Sequence, residues 1–125
     1  MDCPTDPFTK LNTDGSALDN LGRARARGLL RDSSSSWISR FSLSMGITTN
    51  NMAQLGAVRQ GLMLAWYLGF KFIKLKLDSV IVLSWLTAST NNFPPHVFPL
   101  ICDCRSLMER AWVVQVRHIY REANE

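Results

Sequence analysis

Apolar and polar residues alternate with period two along the first part of the chain. Residues 10–14 alternate in this way and predict a first strand ending at Asp14, and residues 15–22 predict a turn. Arg23, Arg25 and Arg27 then alternate with small residues, which predicts a second strand with three arginines on one face. A polar turn over 33–36 precedes a third predicted strand over 37–44. Because both connections are short, we expect an antiparallel meander.

The period changes after residue 49. Four small residues recur every four positions and predict a helix over 50–68 that packs closely on a sheet: Ala53, Ala57, Gly61 and Ala65. Thr49 or Asn50 is its expected N-cap and Gly69 its stop. A fourth strand over 70–77, helices over 79–87 and 97–110, and a fifth strand over 112–120 follow. This order predicts an α/β fold in which helices pack on a mixed sheet.

The length of the chain indicates one domain. The 125 residues suffice for one hydrophobic core, and we expect a lead-in over 1–8 followed by a domain over 9–125. The net charge of +4 favours a polyanionic partner, although a solvated basic surface is an open alternative. Three cysteines without zinc-ligand spacing predict reduced thiols and an intracellular protein, in the nucleus or the cytoplasm. No segment predicts membrane insertion, and nothing in the sequence implies an oligomer.

Five strings carry a family resemblance. They are Thr13-Asp14-Gly15-Ser16, the segment 48–55, Leu77-Asp78-Ser79, Trp85-Leu86 and the segment 118–124. In this order they resemble the ribonuclease H family, especially its plant, reverse-transcriptase-like and retroelement-derived branch, over 11–124. The resemblance implies a ribonuclease H-like fold with a five-stranded mixed sheet, three antiparallel strands followed by two parallel ones. It also implies metal-dependent endonucleolytic hydrolysis of RNA in RNA–DNA hybrids.

The resemblance also assigns catalytic positions. Asp14 is similar to the aspartate that bridges two metal ions, and Asp78 to a second metal ligand, with Mg²⁺ or Mn²⁺ as the expected ions. Gln54 stands where the family has a glutamate, and His118 matches a histidine that moves protons or helps product to leave. The family's last carboxylate, in an Ala-Asp pair, falls a few residues beyond Asn124. We therefore expect a domain that lacks its C-terminal helix, binds metal weakly and cleaves poorly or not at all.

Each assignment has a simpler alternative. Asp14 and Asp78 can be turn formers, Gln54 a polar helix-surface residue and His118 a polar residue at a strand end. As a whole, the domain can be a non-catalytic hybrid-binding module or a decayed retroelement fragment.

The binding surface implied by the resemblance is polar. Asn20, Thr49, Asn50 and Asn51 match residues that grip the hybrid in its minor groove, where the 2′-hydroxyl distinguishes RNA from DNA. Alternatively, Thr49 and Asn50 only cap the helix. The three-arginine face can contact phosphates or can cover an exposed sheet face with aliphatic stems. The four tryptophans are predicted core residues: Trp37, Trp66, Trp85 and Trp112.

Overall fold

A five-stranded mixed sheet forms the centre of the molecule. The computed structural model describes residues 6–88 and 92–120. The elements are β1 (Thr9–Ala17), β2 (Gly22–Arg31), β3 (Trp37–Thr48), α1 (Asn50–Tyr67), β4 (Phe72–Leu77), α2 (Val80–Thr87), α3 (Phe98–Met108) and β5 (Val113–His118). The strand order is β3-β2-β1-β4-β5. The first three strands pair antiparallel, and β4 pairs parallel to both β1 and β5, as predicted.

The two faces of the sheet differ sharply. On one face the three helices cover a core that includes Leu11, Leu30, Ile73 and Leu75. The strand residues that alternate with these core positions point to the opposite face. We call it the open face because no helix within 6–88 or 92–120 packs on it. Strand alternation causes this division, since successive side chains point to opposite sides.

Small residues let α1 approach β1 closely. A Cβ atom added to Gly15 would lie 2.4 Å from the carbonyl carbon and oxygen of Ala53, and one added to Gly61 would lie 2.9 Å from the Leu11 methyls. Ala57 is fully buried in the same interface. The predicted small-residue stripe is therefore confirmed. Its consequence is that the start of α1 lies directly against the middle of β1.

The ends of α1 follow the predicted capping chemistry. The Thr49 hydroxyl accepts a hydrogen bond from the Met52 N–H at 3.2 Å, which makes Thr49 the N-cap. Gly69 follows the helix with φ of +89°, a conformation that glycine adopts without strain.

Several predicted boundaries were wrong. β1 continues through Ala17, so Asp14 lies inside a strand and not at its end, because pairing with β2 extends to the Ala17–Ala24 pair. The turn predicted over 15–22 is correspondingly shorter: a 3₁₀ turn over Leu18–Asn20 makes the connection. β3 runs to Thr48, well past the predicted end at Ser44.

Trp37 is not a core residue. It is 63% exposed at the first position of β3, opposite Arg31 on the open face. The other tryptophans do contribute to the interior: Trp85 is buried, and the half-buried rings of Trp66 and Trp112 meet edge to face at 5.1 Å. Period-two alternation does not reveal which face is covered, and this is why the Trp37 prediction failed.

Two segments of the sequence analysis lie outside the described residues. They are residues 1–5 of the expected lead-in and residues 121–124 of the C-terminal string.

In the described part of the chain, no helix is both long and apolar enough to cross a bilayer.

Candidate functional site

Asp14 lies in β1, and Asp78 directly follows β4. The parallel pairing of β1 with β4 runs from Thr9–Ile73 to Asn12–Lys76, so each aspartate lies two residues beyond the last pair. Paired strands are roughly 4.8 Å apart, which brings the backbones of the two aspartates close together. Both residues line one open cavity of about 910 Å³. The predicted juxtaposition of the two aspartates is thus present.

Arginines share this cavity with the aspartates. Arg27 is the cross-strand partner of Asp14 in the β1–β2 ladder, and such directly opposed side chains lie on the same face. Arg25 and Arg40 also line the cavity, and the Arg25 guanidinium donates to the Ser42 hydroxyl at 3.2 Å. The lining therefore carries three guanidinium groups and two carboxylates. Its net positive charge favours an anion.

Gln54 occupies a different position from the two aspartates. Its backbone N–H lies beside Gly15, where the helix meets β1, and its half-buried side chain is not among those that line the cavity. As an amide, Gln54 brings no charge to a cation. The start of α1 contacts β1 at Gly15, on the face of the sheet opposite to the Asp14 side chain.

The donor set does not fit a pair of divalent ions. Two ions held about 4 Å apart need several shared carboxylates. Over residues 6–88 and 92–120, no group of three or more His, Cys, Asp or Glu side chains is placed to hold a metal ion. Asp14 and Asp78 provide hard oxygen ligands suited to at most one such ion, in a cavity that already contains three arginines.

His118 contacts the backbone of Asp78. Its Nε2 atom is 3.1 Å from the Asp78 backbone carbonyl, and because a carbonyl only accepts, this nitrogen carries the proton. The ring also packs edge to face on Tyr120 at 4.7 Å. In the ladder His118 pairs with Leu77, whose side chain faces the core. The structure therefore brings His118 to the site through the backbone of Asp78, and its predicted proton-transfer role stays a prediction.

The four predicted binding residues come together at the start of α1. The Asn20 side-chain oxygen accepts from the Asn50 N–H at 3.1 Å, and the Asn50 side-chain oxygen accepts from the Ala17 N–H at 2.6 Å. Asn20 has φ of +60°, a left-handed conformation that asparagine tolerates better than most residues. We call this arrangement the asparagine latch, since it joins the 3₁₀ turn after β1 to the helix.

The latch changes how these asparagines are interpreted. Thr49 caps the helix, and the side-chain oxygen of Asn50 accepts from the Ala17 N–H. Because the side-chain oxygens of Asn20 and Asn50 already accept hydrogen bonds, the amide NH₂ groups are the part of each side chain that a ligand would use. Asn51 follows as a half-buried residue in the first turn of α1. Capping and binding roles are therefore compatible at this helix end.

Arg40 and Trp37 are cavity residues that the sequence did not identify. Both belong to β3, which pairs with β2 and not with β1. The register of the β2–β3 pairing, with Leu29 opposite Arg40, decides which β3 side chains lie near the aspartates. The alternation of arginines in β2 was the one signal in the sequence that pointed to this surface.

Comparison with known proteins agrees with this architecture. The family model described as reverse transcriptase-like matches residues 12–125. A protein of Arabidopsis thaliana named "putative ribonuclease H protein" is 35% identical over 117 residues; the match covers 94% of this chain but only 19% of that protein's length.

Solved structures share the fold. RNase H1 from the halophilic archaeon Halobacterium salinarum superimposes with a TM-score of 0.87 at 25% identity, covering 94% of this chain and 89% of that one. LC11-RNase H1, isolated from compost and crystallised with an RNA/DNA hybrid, has a TM-score of 0.83 at 24% identity, covering 93% and 88%. The chain belongs to the reverse transcriptase-like family and is a ribonuclease H-like domain.

Proposed function

We propose that this domain binds RNA–DNA hybrids without needing a metal ion and cleaves them weakly or not at all. The observation that carries the proposal is the cavity in which Arg25, Arg27 and Arg40 accompany Asp14 and Asp78. In a two-metal nuclease, the ions supply the positive charge that draws the phosphodiester to the carboxylates. Here the guanidinium groups supply that charge, and they bind phosphate oxygens through several N–H donors at once.

The asparagine latch provides the second half of the proposed interface. Ala17, to which Asn50 is hydrogen-bonded, follows Asp14 by three residues along β1, or roughly 10 Å at the rise of a strand. Amide NH₂ groups and the N-terminus of α1 suit phosphate and 2′-hydroxyl oxygens. The LC11-RNase H1 structure contains a hybrid, and the shared fold supports the same class of ligand for this chain. Asn20, Thr49, Asn50 and Asn51 are the residues that we assign to it.

In the proposed mechanism the chain's own residues bind and orient the nucleic acid. The arginines hold a phosphate beside Asp14, and the latch contacts the RNA strand next to it. A bound Mg²⁺ or Mn²⁺ would supply charge neutralisation and an activated water; Asp14 and Asp78 would hold it. His118 keeps the Asp78 backbone in place by its hydrogen bond to the carbonyl. Since the described donors do not fit two ions, we derive no cleavage step.

A binding assay with a matched variant tests the proposal. Asn51→Ala is expected to weaken binding to a fluorescent RNA–DNA hybrid by about three- to tenfold, the effect of losing one hydrogen bond to a neutral 2′-hydroxyl. Binding to a DNA duplex of the same sequence should change less, since the duplex lacks 2′-hydroxyls. Gln60→Ala, further along α1, is the control and should leave both affinities unchanged. Equal losses on hybrid and duplex would contradict the assignment of Asn51.

The role of metal is tested separately. Hybrid affinity should be the same in EDTA and in magnesium, and Asp14→Asn should bind the hybrid equally or more tightly because it removes a negative charge from the cavity. A metal-dependent enzyme would behave oppositely, with cleavage and magnesium-dependent affinity both lost on Asp14→Asn. Robust magnesium-dependent cleavage by the unchanged chain would overturn the proposal.

A further inference from the structure

Four cations cluster at the other end of the open face. Lys10 is the ladder partner of Arg31 on one side and of Lys74 on the other, and Lys76 follows Lys74 on the same face. We call these four residues the basic cluster. Neighbouring strands lie roughly 4.8 Å apart and alternate residues roughly 6.6 Å apart, so four positive side chains arise within about 10 Å. Lys10 is four residues, or roughly 13 Å, from Asp14 along β1, whereas Lys76 is two residues, or roughly 7 Å, before Asp78.

The cluster is not neutralised by the described residues around it. Lys76 is partly buried, and the sheet places Lys10, Lys74 and Arg31 near it on the same face. The Nε atom of Arg31 is buried and has no hydrogen-bond partner within the described chain, and the Nη2 atom reaches Asn12 at 3.4 Å. An anionic ligand would reduce the cost of this crowding, because a partly buried charge is less costly when it is paired.

The nearby acid is committed elsewhere. Asp32 closes its own turn, where its carboxylate accepts the backbone N–H groups of Ser34 and Ser36 and the Ser34 hydroxyl. These hydrogen bonds, led by that from Ser36, lower the pKa of Asp32, and Lys10 contributes least. Lys10 itself donates to the Ser35 hydroxyl at 3.0 Å. Asp32 therefore stabilises the β2–β3 turn and leaves the basic cluster positive.

Aromatic rings border the same cluster. Phe8 lies 5.4 Å from the Lys74 ammonium and packs edge to face on Phe72. On the other side the exposed Trp37 is paired with Arg31. Cations flanked by exposed rings are typical of surfaces that hold a nucleic-acid strand by its phosphates and stack its bases.

We infer that the basic cluster is a second nucleic-acid site, which binds the phosphodiester backbone of a strand on the open face, next to the Asp14–Asp78 cavity, whose lining also includes Trp37. Charge complementarity identifies the occupant: the central positions are Lys and Arg, so the apolar side of a helix would not fit there. An anionic membrane offers charge but no ordered bases for Trp37 to stack on. The site goes beyond the proposed hybrid interface, since it uses none of the asparagine latch and does not distinguish RNA from DNA.

The salt dependence of binding tests this inference. For the double variant Lys74→Gln/Lys76→Gln, the slope of log K against log salt should be shallower by about 1.4 on oligothymidylate and about 1.8 on an RNA–DNA hybrid, the values for two lost phosphate contacts. The control Lys71→Gln/Arg110→Gln removes the same charge near Trp66 on the helical side and should keep the original slope. The cluster variant should melt no lower than the unchanged chain, because it removes like-charge repulsion.

The outcomes separate this site from the hybrid interface. A slope change in the cluster variant together with unaltered preference for hybrid over duplex supports the second site. Loss of that preference on Asn51→Ala concerns only the hybrid interface. Equal slopes for the cluster variant and the control would overturn the inference. Binding to phosphatidylserine vesicles through the same lysines, without binding to oligothymidylate, would overturn it as well.

Discussion

Asn50 joins stability to binding in this domain, and two substitutions separate these roles. Its side-chain oxygen accepts from the N–H of Ala17, which is 9% exposed, at 2.6 Å. Asn50→Ala leaves this buried donor without an acceptor, at a cost of about 1–3 kcal/mol. For a chain of this size, each kcal/mol corresponds to about 4 °C in melting temperature, so the expected loss is about 4–12 °C.

Asn50→Asp has the opposite effect on stability. The carboxylate still accepts from Ala17, now as a charged group, and it adds a negative charge to the first turn of α1, which has no acidic residue. This charge stabilises a helix N-terminus by about 0.3–1 kcal/mol, so the melting temperature should stay or rise slightly. The amide NH₂ donor is lost, however, and a phosphate is repelled. Hybrid affinity should therefore fall by about tenfold or more in both variants.

Thermal melting and hybrid binding by fluorescence anisotropy measure the two effects on the same preparations. Asn50→Ala should lose both stability and affinity, whereas Asn50→Asp should lose affinity alone; Gln60→Ala should lose neither. If Asn50→Ala had the same melting temperature as the unchanged chain, the latch would not stabilise the fold. If Asn50→Asp bound hybrid as tightly as the unchanged chain, Asn50 would lie outside the interface.

Three further predictions concern packing, metal use and pH. Gly15→Ala should lower the free energy of unfolding in urea by about 3 kcal/mol or more, because its Cβ would meet the backbone of Ala53 at 2.4 Å. In Gly61→Ala the added Cβ meets the Leu11 side chain, which can shift, and the helix gains propensity. The free energy of unfolding should therefore change by less than about 1 kcal/mol. Gln54→Glu alone should not produce magnesium-dependent hybrid cleavage; cleavage that appears with this change and disappears with Asp14→Asn would refute the reasoning. Burial raises the pKa of the Cys104 thiol from 9.0 to about 12, so the unfolded chain ionises first and stability should fall by about 1.4 kcal/mol per pH unit between pH 9 and 12. The same slope in Cys104→Ala would show that other groups cause it.

Local pattern was sufficient for much of the fold. Alternation in β2 separated exposed arginines from buried small residues, and the four-residue repeat in α1 identified the face that packs on β1. These predictions succeeded because strand and helix periodicity depend on neighbours in sequence. The cap residue Thr49 was recognisable for the same reason, since a cap bonds to an N–H three residues later; Ser79, predicted inside the next helix, caps it instead.

The candidate site could be predicted only in part. The strings around Asp14 and Asp78 indicated that the two aspartates meet, and both line one cavity in the structure. The latch between Asn20 and Asn50 spans thirty residues, and its hydrogen-bond directions depend on where the 3₁₀ turn meets α1. A list of polar residues does not contain that geometry.

The sequence by itself determined the family, the order of strands and helices along the chain and, in β2 and α1, the side that faces the core. Tertiary structure alone decided that Arg27 and Arg40 surround the aspartates, that Trp37 is exposed and that Lys10, Arg31, Lys74 and Lys76 converge. The physical reason is register. Cross-strand neighbours are chosen by long-range pairing of whole strands, and a shift of one residue would move every side chain to the other face.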